Sequence, residues 1–162
     1  MKNLFIIVML MLTVSLTQAQ DFEQTNYITV VTSPGSWDDG ASVGIQYEYQ
    51  NNTVYVGPEL YLFPNLHDMN YTHLIGRLGL NKHFGKLNHW GRIYSGTRIG
   101  GIFREGNDVN ALLGLEAGFD IYIKNIYFRV SGTSDMKTDS KIWSNESHHT
   151  VNSLIAGVGV KF

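Results

Sequence analysis

The chain has 162 residues with 12 Lys+Arg against 14 Asp+Glu, a net charge of −2, 20 aromatic residues, 17 Gly and no Cys. The missing cysteines exclude disulfides, a thiolate nucleophile, Cys-ligated zinc and a lipoprotein anchor. A charge near zero with no basic run excludes nucleic acid as a partner, and the abundant aromatic and β-branched residues exclude a disordered chain.

Residues 1–19 read as a signal peptide. Lys2 precedes an apolar run from Leu4 to Leu16, followed by the small, polar Thr17-Gln18-Ala19. That is the layout of a secretory leader, and the run is too short for a membrane-spanning helix. Cleavage after Ala19 leaves residues 20–162 as one domain.

The rest of the chain alternates with period two, the mark of strands with one apolar and one polar face. Asn26 to Ser33 is a first strand whose faces are ambiguous. Ala41 to Gln50 is the clearest, with Val43, Ile45, Tyr47 and Tyr49 opposite Ser42, Gly44, Gln46 and Glu48. After the turn Asn51-Asn52 a third strand sets Val54, Val56, Pro58, Leu60 and Leu62 against Tyr55, Gly57, Glu59 and Tyr61. Thr72–His83, Arg92–Phe103 and Ala111–Ile121 continue the pattern, with Arg77, Arg98 and Glu116 on their polar faces. Past Lys124-Asn125, Ile126 to Ser131 carries Arg129 on its polar face, and Val151 to Phe162 closes the series. Eight strands result. Pro58 cannot donate a ladder hydrogen bond, so a bulge or a local gap is expected there.

The connections alternate between long and short, as in an up-and-down barrel with tight periplasmic turns and longer outside loops. In this reading Gly132–His149 is the longest outside loop, and acidic residues, among them Asp135 and Asp139, outnumber Lys137 and the other basic residues in the loops. The polar faces are rich in Gly, Ser, Asn and Tyr, and their charges balance: Glu48, Glu59 and Glu116 against Arg77, Arg98 and Arg129. A soluble barrel points its charges outward, where they are numerous. Few, matched charges among small residues suit a narrow, filled lumen in which each guanidinium meets a carboxylate from another strand.

The last strand alternates Leu154, Ala156, Val158, Val160 and Phe162. Here the sequence resembles the bacterial outer-membrane β-barrel class, and in size the OmpA/OmpX-like eight-stranded barrels. The resemblance implies an all-β, eight-stranded antiparallel up-and-down transmembrane β-barrel in a Gram-negative outer membrane. It further implies that Val158, Val160 and Phe162 form the signal read by the barrel assembly machinery. Outer-membrane lipid and lipopolysaccharide would surround the wall, with Tyr47, Tyr49, Trp90, Phe119, Phe128 and Phe162 near the periplasmic strand ends as an aromatic girdle.

Chemistry is thin. Ser147, His148, His149 and Ser153 cluster beside Glu146, and a lipid A-modifying enzyme could use Ser and His there. Sequence proximity supplies none of the geometry a Ser–His–acid unit needs. His148-His149 with Asp135 and Asp139 lacks the i, i+4 spacing that aims two imidazoles at one metal ion. Gly35-Ser36-Trp37 matches the short G-x-W of lipocalins but follows the first strand and sits in a turn. The reading is therefore a monomeric structural or surface-interaction barrel with a filled lumen, no cofactor, no metal and no catalysis. A lipid A deacylase or acyltransferase and a secreted lipocalin-like binder are the alternatives.

Overall fold

The computed structural model describes residues 25–36, 40–66, 69–85, 90–104, 109–138 and 149–162. Eight strands are present: β1 (Thr25–Ser36), β2 (Gly40–Gln50), β3 (Val54–Leu66), β4 (Met69–Phe84), β5 (Gly91–Arg104), β6 (Val109–Ile123), β7 (Ile126–Lys137) and β8 (His149–Lys161). Each strand pairs antiparallel with the next, and β1 pairs with β8, so the sheet closes into an up-and-down barrel without edges. Closure is clasped at the chain ends. The Asn26 amide donates to the Phe162 carbonyl at 3.3 Å, and the Phe162 amide donates back at 3.0 Å.

Period-two alternation translates directly into inside and outside. On β7, Ile126, Phe128, Val130, Gly132, Ser134 and Met136 face outward, while Tyr127, Arg129, Ser131, Thr133, Asp135 and Lys137 are buried inside. The ambiguous first strand takes the same form, with Tyr27, Thr29, Val31 and Ser33 inward and Ile28, Val30 and Thr32 outward. The outer wall is thus a belt of exposed aliphatic side chains such as Ile45, Leu60, Leu78, Leu113 and Val158. A shallow hollow of about 610 Å³ interrupts it beside the small outward residues Ser95, Ala117 and Gly132.

One end of the barrel is closed by tight turns. Asn51 Oδ1 accepts from the Thr53 and Val54 amides at 2.9 and 2.8 Å, an Asx turn of the kind Asn favours. The β6–β7 turn is Lys124-Asn125, with Lys124 in the left-handed region at φ 59°. At this end Trp90 stacks on Phe84 with centroids 5.6 Å apart and meets Phe119 edge-on at 6.5 Å.

At Pro58 the expected interruption takes the form of a local gap, without a bulge. The β2–β3 ladder pairs Gln46 with Glu59 and Tyr49 with Val56, skips the two positions between, and resumes in the same register. Gly57 allows this close passage, since a Cβ there would stand 1.9 Å from the Tyr47 carbonyl oxygen. One expectation changes: β7 continues six residues beyond Ser131 to Lys137, so Asp135 and Lys137 are lumenal side chains and not loop residues. The alternation of polar residues on both faces, Ser134 outward and Asp135 inward, makes this end of the strand look like loop in sequence.

Candidate functional site: the charged lumen

Eight strands enclose a space just wide enough for side chains to fill. The lumen holds five acids (Glu48, Glu59, Glu116, Asp120, Asp135) and five bases (Arg77, Arg92, Arg98, Arg129, Lys137) that are buried among the described residues. All six charged residues singled out in the sequence, Glu48, Glu59, Arg77, Arg98, Glu116 and Arg129, point inward and lie within one connected set of ion pairs.

The set has two tiers. Toward the tight-turn end, Asp120 is gripped from two sides. Arg92 donates from Nε and Nη2 to Oδ2 at 2.9 and 2.5 Å. Arg129 donates from Nε to Oδ1 and from Nη2 to Oδ2, each at 2.9 Å. Glu48 joins this tier by accepting from Arg92 Nη1 at 2.5 Å and Arg129 Nη2 at 3.2 Å. Gln46 and Gln50 each accept one further guanidinium proton, from Arg129 and Arg92, at 2.7 and 2.5 Å.

The second tier lies one layer further along. Arg77 Nε donates to Glu116 at 2.9 Å and sits 3.1 Å from Glu59. Arg98 donates to Asp135 at 2.5 Å and to Glu59. Arg77 couples the tiers, because its Nη1 reaches Glu48 at 3.2 Å. Tyrosines complete the packing: Tyr55 donates to Glu116 at 2.7 Å, and Tyr94 lies under the guanidiniums of Arg92 and Arg129, 4.7 and 4.9 Å from its ring centroid. Thr29 and Tyr127 share a hydroxyl–hydroxyl hydrogen bond below the lattice.

Room for these large side chains comes from glycine. A Cβ on Gly96 would stand 2.3 Å from Tyr55 Oη and 2.5 Å from the Leu78 carbonyl, so the Tyr55 ring occupies the space a side chain would need.

Sequence reading left out Arg92, Asp120 and Asp135. Arg92 and Asp120 share the inward parity of Tyr94 and Glu116, so their place was readable. Asp135 was hidden by the early end assigned to β7. Toward the loop end Val31, Tyr61, Phe63, Tyr71, Ile75, Ile102, Leu112 and Ile155 form an apolar cluster inside the lumen. Periodicity placed several of these on polar faces without revealing that they pack together.

The remaining candidates separate. Ser153 faces a small lumenal chamber, while Glu146, Ser147 and His148 lie outside the described residues, as do Trp37, Asp139 and the leader. Asp135 turns inward to Arg98. Val158, Val160 and Phe162 face outward on β8 and its end.

Three solved structures share this architecture. The N-terminal β-barrel domain of Pseudomonas aeruginosa OprF matches with a TM-score of 0.60 at 16% identity, covering 88% of this chain and all 100% of that domain. Neisserial surface protein A (NspA) matches at 0.54 and 15% identity, over 87% of this chain and 97% of that one. The fold is that of the small outer-membrane β-barrels. A barrel from the de novo design of transmembrane β-barrels matches equally at 0.54 and 15% identity, over 85% and 95% of the two chains. That a designed barrel aligns as well as NspA ties the likeness to strand number and closure, with side-chain chemistry free to differ. No family model and no curated protein matches the sequence.

Proposed function

We propose that this eight-stranded barrel is an integral outer-membrane protein of a Gram-negative bacterium that anchors surface loops, exported by cleavage of residues 1–19, and that it neither conducts nor catalyses. The observation that carries the reading is the filled lumen. Ion pairs run across it from β2 to β7 through Glu48 and Arg129, and from β5 to β3 and β7 through Arg98. Strands of 11–16 residues meet or exceed the roughly 9–11 that a tilted strand needs to cross a bilayer, and the outward belt is aliphatic. In this setting outer-membrane lipid and lipopolysaccharide contact the wall, and Trp90, Phe128 and Phe162 stand at the periplasmic interface. Val158, Val160 and Phe162 are the residues the barrel assembly machinery would read, and the barrel works as a monomer.

The lattice of Glu48, Glu59, Arg77, Arg98, Glu116 and Arg129 then serves as an internal brace that lets the loops be presented from a rigid base. Extraction from outer membranes followed by a denaturing gel tests the whole reading. A detergent-dependent band whose migration shifts on heating is expected; recovery from the soluble periplasm without detergent overturns it. Lipid A of unchanged mass in expressing cells is expected of a non-enzyme, and a change abolished by His149→Ala overturns that part.

A further inference from the structure

Where the ion lattice meets the apolar cluster, beside Arg98 and Asp135, lies a chamber with a cavity volume of about 20 Å³. Four buried polar atoms line it and meet no hydrogen-bond partner among the described residues: Ser33 Oγ, Ser42 Oγ, Thr133 Oγ1 and Arg98 Nε. Their residues are each at least nine-tenths buried and come from four strands, β1, β2, β7 and β5. Ser33 and Ser42 are direct register partners, and Thr133 stands two residues from Asp135, the carboxylate that holds the Arg98 fork. Four such atoms, brought from four strands to the wall of one space, form a set that a single ligand can satisfy.

We propose that this chamber is a binding site for one ordered water molecule. The space matches, since about 10–15 Å³ suffices for a single water and two to four polar partners are needed to hold it. The chemistry matches as well. Arg98 Nε–H can only donate, and the three hydroxyls can donate or accept. One water accepts from Arg98 and one hydroxyl while donating to the other two, so all four groups are satisfied by one four-coordinate molecule. A small anion would also accept from Arg98. Arg98 and Lys137 outnumber Asp135 in the chamber wall, but the five-to-five balance of buried acids and bases in the lumen stands against an anion, which would break it. The site joins β1 and β2 to β5 and β7, so water completes the brace where side chains do not reach.

The site belongs to the folded barrel and stands whatever the protein's role in the cell. The test uses the full barrel, folded in deuterated detergent micelles with arginine nitrogen labelled. A cross-peak from water to the Arg98 Nε proton, with the sign that marks a long-lived bound molecule, is expected in the native protein; its absence overturns the proposal. Ser42→Val fills the chamber and should abolish that cross-peak while the heat-shifted gel band persists; a surviving cross-peak places the water elsewhere and overturns the assignment. Should Ser42→Val not fold, Thr133→Val keeps the shape and removes one partner, and exchange of the water should speed by about threefold to tenfold; unchanged exchange counts against the site. Crystals grown in bromide should give no anomalous peak in the chamber, and a peak there would replace water by an anion.

Discussion

Glu48→Gln tests the lattice at its most connected acid. Glu48 is fully buried and accepts from Arg77, Arg92 and Arg129 at 3.2, 2.5 and 3.2 Å. Gln keeps the shape but removes the charge and turns an NH₂ toward guanidinium protons, so at least one donor faces another donor. The lumen is left with five buried bases and four acids. Breaking a buried pair by neutralising one partner costs about 3–5 kcal/mol, because the surviving charge stays desolvated. At 25 °C, 4 kcal/mol is roughly a thousandfold in the folding equilibrium. Reversible urea unfolding in lipid vesicles, read by the heat-shifted band and by tryptophan emission, measures it. Lys82→Gln, an exposed outward position, is the control and should stay within about 0.5 kcal/mol. The double variant Glu48→Gln/Arg92→Gln restores charge balance and should be more stable than Glu48→Gln alone, with a coupling of about 0.5–3 kcal/mol. A Glu48→Gln cost under about 1 kcal/mol, indistinguishable from Lys82→Gln, would refute the claim that the lattice is desolvated and mutually supporting.

Gly96→Ala should destabilise the barrel by about 1–3 kcal/mol, because its Cβ would meet the Leu78 carbonyl at 2.5 Å as well as Tyr55 Oη, and backbone cannot yield. Gly132→Ala, where a Cβ meets nothing within 4 Å, should stay within about 0.5 kcal/mol in the same unfolding assay. Lys124→Gly relieves the left-handed backbone of the β6–β7 turn and should raise the unfolding midpoint, by about 0.5–1 kcal/mol. Planar-bilayer recordings of the native barrel should show no large, steady conductance; a stable open level would overturn the filled lumen.

The strands and their faces were legible because one rule, inward or outward by parity, governs every residue of a closed wall. That rule by itself places Glu48, Glu59, Arg77, Arg98, Glu116 and Arg129 on the inner side. It says nothing of partners across the lumen, which depend on strand tilt and stagger. Thus Arg129 meets Glu48, 81 positions away, and no local pattern signals it. Parity also weakens where both faces carry polar residues, which is how Asp135 and Lys137 came to be read as loop. The first strand failed for the opposite reason: Val31 is apolar yet inward, in the apolar cluster with Ile155, so neither face of β1 looked polar. The chamber was invisible to sequence, since Ser and Thr on an inner face look alike whether they pair or line a space.

The lattice also bears on the order of events when the barrel forms. Its contacts join strands far apart in the chain: Arg92 on β5 to Glu48 on β2, 44 positions apart, and Arg98 on β5 to Glu59 on β3, 39 apart. An open, half-curled sheet cannot make the pairs that span the lumen, and its charged inner face would still need water. Dehydration of the inner face and formation of the cross-lumen pairs therefore belong to one late step, the meeting of β1 with β8. Intermediates before it should be wet inside and separated from the closed barrel by an abrupt transition, and the same coupling means the finished barrel opens all at once or not at all.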